Sequence, residues 1–186
     1  GILNGIDTDT WNPAADPLLD DSYDVADRSG KARLKRKLLA EFGLEVEPEL
    51  PLFGFISRLV DQKGLPLFEA LADRFEFWPA RFVFLGSGEP RYEQLIEKLA
   101  ADSPNVGARV TFSERLAHLI EAGSDFFLMP SAFEPCGLNQ MISQRYGTIP
   151  IVHEIGGLAD SVVAVTPESI ADGRATGVVF THYDPE

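Results

Sequence analysis

The chain has 186 residues and a formal net charge of −13 at pH 7. This length suits one well-filled domain, because two domains of half the size would each bury too little surface. The negative charge argues against non-specific binding to nucleic acid or to an anionic membrane, and the sequence has no apolar run long enough to span a bilayer. Cys136 is the only cysteine, which excludes an internal disulfide and favours a reducing compartment.

Residues 1–50 are a lead-in segment that contains one amphipathic helix. The first part of this segment is acidic and irregular by pattern, and Trp11 is expected to anchor it on the body of the domain. A helix is predicted over residues 30–43, because leucines and Phe42 recur at four-residue spacing before Gly43. Basic residues occupy its other face. Since the chain as a whole is acidic, a face exposed to solvent is favoured over a surface that binds nucleic acid.

Residues 51–186 alternate between short apolar runs and helical stripes. Strands are predicted at residues 52–58, 81–86, 109–112, 125–130, 149–152 and 177–180. Helices are predicted at residues 65–77, 91–101, 115–122 and 158–165, with another that ends at residue 146. This alternation predicts an α/β fold with a doubly wound parallel sheet, Rossmann-like in topology. Ligands of such sheets bind beyond the carboxyl ends of the strands, so the loops there form the candidate site.

The loop after the strand at 125–130 carries the most informative run, Glu134-Pro135-Cys136-Gly137-Leu138. Pro135 disfavours a helical conformation at Glu134, and Gly137 lets the backbone approach a ligand closely. The N–H groups that open the next helix are suited to binding phosphate. An acid beside an anion site suggests a ligand with hydroxyls and phosphates, such as a sugar nucleotide. The alternative is a glutamate that only caps the helix, and this loop alone leaves the two interpretations even.

Other loops on the same edge add cations and glycines. Arg58 and Lys63 follow the first strand, Gly86-Ser87-Gly88 follows the second, and Gly156-Gly157 follows the strand at 149–152. Each feature is weak singly, and together they favour a diphosphate ligand. Arg58 could instead belong to a surface ion pair, but a phosphate contact is favoured because Lys63 shares its loop.

Three residue types leave alternatives open. Phe112 ends a predicted strand near this edge, where it could stack on a base, although a core position is the default for phenylalanine. Cys136 has no histidine near it in sequence, so packing is favoured over nucleophilic chemistry. The histidines lack the spacing of metal ligands, so no metal site is predicted. His118 is interpreted as structural, whereas His153 lies at the edge and could touch a ligand.

Together, these motifs resemble the C-terminal, nucleotide-binding half of bacterial glycogen synthases and plant starch synthases. Those enzymes are retaining glycosyltransferases of the B type, with two facing Rossmann-like domains. The resemblance covers essentially the whole chain. It rests on Gly1-Ile2-Leu3-Asn4-Gly5-Ile6-Asp7 with Trp11-Asn12-Pro13, on Ser57-Arg58-Leu59 with Gln62-Lys63-Gly64, on Phe133-Glu134-Pro135-Cys136-Gly137-Leu138, on Arg145-Tyr146-Gly147-Thr148, and on Gly156-Gly157-Leu158-Ala159-Asp160.

The resemblance implies transfer of glucose from ADP-glucose to the non-reducing end of an α-1,4-glucan, with retention of the anomeric configuration. It implies that catalysis needs an N-terminal domain absent from this sequence, so the isolated chain is expected to bind the donor weakly and to be inactive. No metal or other cofactor is expected, and neither nucleic acid nor a membrane is an expected partner. The implied location is the bacterial cytoplasm. ADP-glucose is favoured over UDP-glucose only by the bacterial type of the resemblance.

The resemblance also implies roles for individual residues. The catalytic set is Arg58, Lys63 and Glu134. Its two cations hold the diphosphate and stabilise the leaving nucleoside diphosphate, and its carboxylate contacts the glucose hydroxyls. Phe112 is placed against the base. The remaining donor contacts are implied for Cys136, Gly137, Leu138, Gly156, Gly157 and Leu158.

A few positions depart from the family pattern. Ile142 stands where the wider group of retaining transferases has a second glutamate, and His153-Glu154 stands where more basic residues are common. Two other functions remain open: another retaining sugar-nucleotide transferase, similar to sucrose synthase, or a nucleotide-sugar-binding domain without catalysis. The presence of Arg58, Lys63 and Glu134 together argues against the second.

Overall fold

The computed structural model describes residues 4–185, and within them the apolar runs form one six-stranded parallel sheet. Its strands are β1 (Leu52–Ile56), β2 (Arg81–Gly86), β3 (Val106–Val110), β4 (Phe126–Met129), β5 (Ile149–His153) and β6 (Val178–Phe180). Their order is β3-β2-β1-β4-β5-β6, and every neighbouring pair is parallel. The predicted doubly wound, Rossmann-like α/β fold is confirmed. Residues 1–3, which open the motif at 1–7, and residue 186 lie outside the described residues.

Helices cover both faces of the sheet. They are α1 (Ser29–Glu41), α2 (Leu65–Ala70), α3 (Pro90–Asp102), α4 (Glu114–Gly123), α5 (Asn139–Arg145), α6 (Gly156–Ser161) and α7 (Pro167–Ala171), with 3₁₀ turns at Asp61–Lys63 and Ala72–Phe77. Ser113 caps the start of α4, close to the predicted start, and its hydroxyl accepts a hydrogen bond from the N–H of Leu116 at 3.3 Å. No helix within residues 4–185 is long and apolar enough to cross a membrane.

The helix predicted over residues 65–77 is wrong in its second half. α2 ends at Ala70, and the chain tightens into the 3₁₀ turn that follows. This turn brings the buried ring of Phe75 edge-on to Phe82 of β2, with 4.8 Å between the ring centroids. Packing of one aromatic side chain on the sheet therefore overrides the helical pattern.

The third strand was predicted too late in the chain. β3 begins at Val106 rather than at residue 109. The apolar pattern indicates a later start because Gly107 interrupts it. A larger residue does not fit at this position, since a Cβ at Gly107 would lie 2.8 Å from the Cβ of Phe42. Close packing of α1 on the sheet thus requires the glycine that hides the strand.

The end of the chain also differs from the predicted elements. α6 begins at Gly156, two residues before the predicted start, and ends at Ser161. α7 has no counterpart among the predicted helices. It is a five-residue helix that opens with reciprocal hydrogen bonds between Thr166 and Ser169. Such a capping box is a local exchange of hydrogen bonds that an apolar pattern does not reveal.

Two apolar cores lie on the two faces of the sheet. The first lies beneath α1, α4 and α5, and Leu38 and Ile120 in it are completely buried. The second lies beneath α2 and α3 and is rich in aromatic rings, among them the buried Phe55 and Phe84. Burial of each such side chain stabilises the fold by roughly 1.5–3 kcal/mol, so the two layers hold the strand ends in fixed positions.

The lead-in segment packs on the first core. Trp11 stacks on the imidazole of His118 with 3.9 Å between ring centroids, which confirms the expected anchor. Asp16 accepts a hydrogen bond from the Tyr146 hydroxyl at 2.6 Å and contacts His118 Nδ1 at 2.7 Å. Tyr23 donates its hydroxyl to the Tyr146 carbonyl at 2.7 Å. His118 is therefore structural, as predicted, and these buried polar contacts fix the segment on α4 and α5.

Glu121 is an ionisable group sealed between α4 and α5. Its side chain is 1% exposed, and its Oε2 accepts a hydrogen bond from the Ser143 hydroxyl at 2.6 Å. Burial raises the pKa of Glu121 to about 8, against the opposing effects of the Ser143 hydrogen bond and the nearby charge of Lys31. The carboxyl group is therefore mostly protonated at neutral pH, since desolvation disfavours its charged form.

The free energy of unfolding should decrease as pH rises through the pKa of Glu121. Because the folded-state pKa lies above its ordinary value of 4.5, the stabilisation linked to this group is complete below about pH 4.5 and is lost by about pH 8. Glu121→Gln, which keeps an acceptor for Ser143, should remove this decline, so that its stability relative to the wild type rises by on the order of 1–3 kcal/mol from pH 5 to pH 8.

Urea unfolding at several pH values between 5 and 8 measures this difference. The range stops at pH 8 because burial lowers the pKa of Lys31 to about 8, and the stability linked to Lys31 changes with the opposite sign above that pH. Parallel pH profiles for the wild type and Glu121→Gln would contradict a buried, protonated carboxyl group.

Candidate functional site

A cavity of about 360 Å³ opens at the carboxyl edge of the sheet, where the loops after β1 and β4 meet. These loops are adjacent because β1 and β4 are neighbouring parallel strands. The cavity is lined by Phe55, Ile56, Ser57, Arg58, Lys63, Leu128, Met129, Ser131, Glu134, Gly137, Leu138 and Asn139. Five of the predicted site residues, Arg58, Lys63, Glu134, Gly137 and Leu138, therefore line one cavity.

The loop at residues 57–64, here called the cation loop, supplies the positive charges. Arg58 is exposed and has no ion-pair partner among residues 4–185, so the alternative of a surface ion pair finds no partner acid in the described part of the chain. Lys63 lies at the end of the 3₁₀ turn and forms an ion pair with Glu134. One cation of the loop is thus free for an anion, and the other is neutralised by a carboxylate.

The loop at residues 131–138, here called the glutamate loop, supplies that carboxylate. The Glu134 side chain is 10% exposed and the Lys63 side chain 21% exposed, so the ion pair is largely shielded from solvent. Glu134 lies before α5 and outside it, as predicted from Pro135. Its side chain does not cap α5, which favours the site interpretation over the capping one.

Glycines allow the start of α6 to press against the glutamate loop. A Cβ at Gly157 would lie 2.2 Å from the carbonyl oxygen of Cys136, and the Gly157 N–H donates to the Glu134 carbonyl at 3.0 Å. Gly156 has a φ of +47°, and a Cβ there would lie 2.3 Å from the same Glu134 carbonyl. These two glycines therefore fix the backbone of Glu134 from the side of β5.

Two polar side chains that sequence reasoning did not assign to the loops tie them together. Gln62 donates its side-chain amide N–H to the carbonyl of Phe133 at 2.8 Å, and its backbone carbonyl accepts from the Ala132 N–H at 2.9 Å. Asn139 donates to the carbonyl of Ile56 at 3.3 Å. The sequence signal for Gln62 is its place in the run Gln62-Lys63-Gly64, from which no role was predicted for it.

His153 holds the beginning of the glutamate loop. Its Nδ1 lies 2.9 Å from the carbonyl oxygen of Ser131, and its ring is near the rings of Phe180 and Tyr183. Nδ1 is the donor in this contact, because a carbonyl oxygen can only accept. The histidine predicted at the edge thus has a backbone partner in the loop.

The remaining predicted residues lie beside the cavity or beneath it. Cys136 and Gly157 line a neighbouring pocket of about 230 Å³, on the side of the glutamate loop that faces α6. The thiol of Cys136 is free and only half-buried. Leu158 was expected to line the donor pocket, but its side chain is completely buried in the first core. α6 turns Leu158 toward the sheet, so any ligand contact there belongs to the backbone.

Phe112 is not a core residue. Its side chain is 89% exposed, and β3 ends at Val110, so Phe112 lies in the loop beyond the strand rather than at its end. It does not line the 360 Å³ cavity. An exposed ring at the carboxyl edge of the sheet has no packing role in the described chain, which leaves it available to a ligand.

Free backbone N–H groups lie at the start of α5, on the same edge of the sheet. The N–H groups of Gly137, Leu138, Asn139 and Gln140 have no hydrogen-bond acceptor among residues 4–185. They are the donors predicted at the start of α5. Within the same residues, no group of three or more His, Cys, Asp or Glu side chains is arranged to hold a metal ion.

Fold and site together define a class, the Rossmann-like domains of B-type glycosyltransferases, in which loops beyond parallel strands carry the ligand contacts. The chain belongs to the family described as "Glycosyl transferases group 1", whose model matches residues 40–186.

Similar proteins narrow the relationship within this family. The chain is 52% identical over its whole length to the glycogen synthase of Nitrosospira multiformis and 52% identical over 97% of its length to that of Dechloromonas aromatica. It spans only 38% and 37% of the lengths of these relatives. The sequence therefore corresponds to part of those proteins.

Solved structures agree with the sequence relatives. The catalytic domain of starch synthase IV from Arabidopsis thaliana, bound to ADP and acarbose, matches 99% of this chain with a TM-score of 0.90 and 42% identity; the chain covers 38% of that structure. A sucrose-phosphate synthase from Thermosynechococcus elongatus matches 83% of the chain with a TM-score of 0.59 and 20% identity, and the chain covers 38% of it. The second likeness shows the fold alone.

Substitution of Gly157 should displace the glutamate loop. The added Cβ of Gly157→Ala would overlap the Cys136 carbonyl, so we expect the free energy of unfolding to fall by about 2 kcal/mol and the Cys136 thiol to react faster with a disulfide reagent. Gly5→Ala is the control, because no heavy atom lies within 4 Å of its added Cβ. Urea unfolding and thiol kinetics test this; unchanged values in Gly157→Ala would contradict the close contact.

Proposed function

We propose that the chain is the donor-binding part of a bacterial glycogen or starch synthase, which transfers glucose from ADP-glucose to the non-reducing end of an α-1,4-glucan with retention. The observation that carries this proposal is the placement of Arg58 and Lys63 beside the buried carboxylate of Glu134 in one cavity. Cations and a carboxylate at this spacing suit a ligand that joins a diphosphate to a sugar. This chain spans only 38% and 37% of the two glycogen synthases compared above, so the remaining catalytic groups are assigned to sequence outside it.

The cation loop binds the diphosphate in this proposal. Arg58 offers a planar fork of N–H donors that suits phosphate oxygens, and Lys63 offers a compact charge. When the bond between C1 of glucose and the phosphate oxygen breaks, negative charge develops on the departing ADP. Fixed cations at that position stabilise the transition state more than the ground state. The free N–H groups at the start of α5 add donors on the same side.

The glutamate loop binds the glucose. An ionised carboxylate accepts up to four hydrogen bonds, and sugar hydroxyls are suitable donors. In the unliganded chain Glu134 is satisfied by Lys63, so the donor must share or replace this contact. Gly137 and Leu138 line the same cavity and bring backbone N–H groups to the sugar and phosphate. Cys136 serves in packing, with its thiol outside the cavity.

Phe112 takes the adenine ring. Its exposed position beyond β3 supports this role, since a base that stacks on an aromatic ring removes apolar surface from water on both partners. The preference for adenine is inferred from the structure of starch synthase IV, which is bound to ADP.

Other parts of the reaction are assigned outside this chain. The glucan acceptor binds mainly to the N-terminal domain of the longer protein, and the reaction takes place in the bacterial cytoplasm. The chain uses no metal in this proposal, because Arg58, Lys63 and backbone donors already supply positive potential to the leaving group. A sucrose-synthase-like transferase is the second candidate; the fold permits it, but the sucrose-phosphate synthase compared above is only 20% identical to this chain.

The transfer reaction tests the proposal directly. The longer protein that contains this chain should incorporate labelled glucose from ADP-glucose into glycogen as α-linked product, whereas the 186-residue chain alone should not, because it lacks the facing domain. UDP-glucose is the competing donor, and a monosaccharide is the competing acceptor. Transfer by the longer protein to a monosaccharide but not to glucan would overturn the proposal in favour of the second candidate.

The ion pair makes a separate prediction about the affinity for ADP. Glu134→Gln removes a negative charge from beside the anion site, so ADP should bind about threefold to tenfold more tightly than to the wild type. Lys63→Met should weaken ADP binding by about tenfold. Lys98→Met is the control, since Lys98 pairs with Asp102 on the exposed face of α3. Calorimetric titration of the chain measures all four proteins.

Equal weakening of ADP binding in Glu134→Gln and Lys63→Met would contradict the competition between carboxylate and diphosphate. Unchanged affinity in Lys63→Met would remove this residue from the diphosphate site.

A further inference from the structure

The cation loop and the glutamate loop contact each other at successive positions. Gln62 bonds to Ala132 and Phe133 through its backbone and its side chain, and Lys63 pairs with Glu134. The residues that contact Gln62 immediately precede Glu134, and Gln62 immediately precedes Lys63. Lys63 and Glu134 therefore each lie within two residues of a contact made by Gln62.

Gly64 brings the backbones of these two loops together. It has a φ of +89°, and a Cβ at this position would lie 2.2 Å from the carbonyl oxygen of Pro130. A residue with a side chain would therefore push the end of the cation loop away from the start of the glutamate loop. The close approach at Gly64 and Pro130 sets the distance at which the amide of Gln62 reaches Phe133.

The other contacts of the glutamate loop do not reach the cation loop. His153 bonds to Ser131 from β5, and Gly157 bonds to the Glu134 carbonyl from α6. They fix the backbone relative to the second half of the sheet. Among the described side chains, Gln62 and Lys63 are the ones that bond from the cation loop to the glutamate loop. Asn139 bonds to Ile56 from just outside both loops. Once a diphosphate draws Lys63 away from Glu134, the Gln62 side chain is therefore the remaining side-chain link between residues 57–64 and residues 131–138.

We propose that Gln62 is a positioning residue for donor binding, which keeps the Glu134 carboxylate in register with the cation loop while Lys63 engages the diphosphate. This inference rests on the proposed function. A primary amide suits the task because it donates to the Phe133 carbonyl without adding charge beside the ion pair. A glutamate here would lack the donor and repel Glu134, and a lysine would compete for its carboxylate.

A positioning role for Gln62 predicts different effects on the affinities for ADP and for ADP-glucose, although both ligands contain a diphosphate. ADP has no glucose and therefore does not need the Glu134 carboxylate, whereas ADP-glucose needs Glu134 in the correct place. Gln62→Met keeps the length of the side chain and the backbone contact to Ala132 but removes the amide donor. We expect it to leave the dissociation constant of ADP within about twofold and to weaken ADP-glucose by about fivefold, the effect of one misplaced hydrogen-bonding group.

The matched control is Gln144→Met. Gln144 is also half-buried and also donates its amide to a single backbone carbonyl, that of Ser161 at 3.2 Å, but it bonds to neither the cation loop nor the glutamate loop. Both variants are titrated with ADP and with ADP-glucose by calorimetry, and their thermal unfolding is followed in parallel. The control should bind both ligands as the wild type does.

The outcomes are distinguishable. Selective loss of ADP-glucose affinity in Gln62→Met, without a matching change in Gln144→Met, supports the positioning role. Equal weakening of both ligands would mean general loosening of the cation loop and would overturn it, as would wild-type affinity for both. If the wild-type chain binds neither ADP nor ADP-glucose, the proposed function fails, and the positioning role fails with it.

Discussion

The ion pair between Lys63 and Glu134 is the interaction on which the site depends. Its partners are 71 residues apart in sequence and meet because β1 and β4 are hydrogen-bonded neighbours whose carboxyl ends lie at the same edge. The pair is largely buried, where removal of one partner would leave an uncompensated charge. It therefore holds the two loops together without a ligand. In the proposed function, binding exchanges this internal contact for contacts to phosphate and sugar, so the ion pair sets the positions of both charges before the ligand arrives.

Backbone contacts made possible by glycine support this pair from both sides. Gly64 lets the cation loop approach Pro130, while Gly156 and Gly157 let α6 approach the backbone of Glu134 and Cys136. Each approach is shorter than a side chain allows, so the loops are held by the sheet and by α6 rather than by flexible surface contacts. The lead-in segment contributes at a distance, because Trp11 and Asp16 bury polar groups of α4 and α5 and so fix the helix that follows the glutamate loop.

Sequence patterns predicted the alternation of strands and helices, and the carboxyl-end rule then brought Arg58, Lys63, Glu134, Gly137 and Leu138 to one cavity.

Sequence patterns failed where a tertiary contact decides the outcome. The 3₁₀ turn after α2 follows from the packing of Phe75 on Phe82, and the core position of Leu158 follows from the early start of α6. Gln62 could not be recognised from sequence, because its partners are carbonyl and N–H groups that any residue possesses. The exposure of Phe112 likewise depends on where β3 ends, which the pattern placed too late.

A crystal structure of the chain with ADP-glucose bound would test the central claim most directly. We expect the diphosphate between Arg58 and Lys63, the glucose hydroxyls on the Glu134 carboxylate, and the ion pair between Lys63 and Glu134 opened or shared with the ligand. A donor bound elsewhere, with that ion pair intact and the 360 Å³ cavity unoccupied, would contradict it.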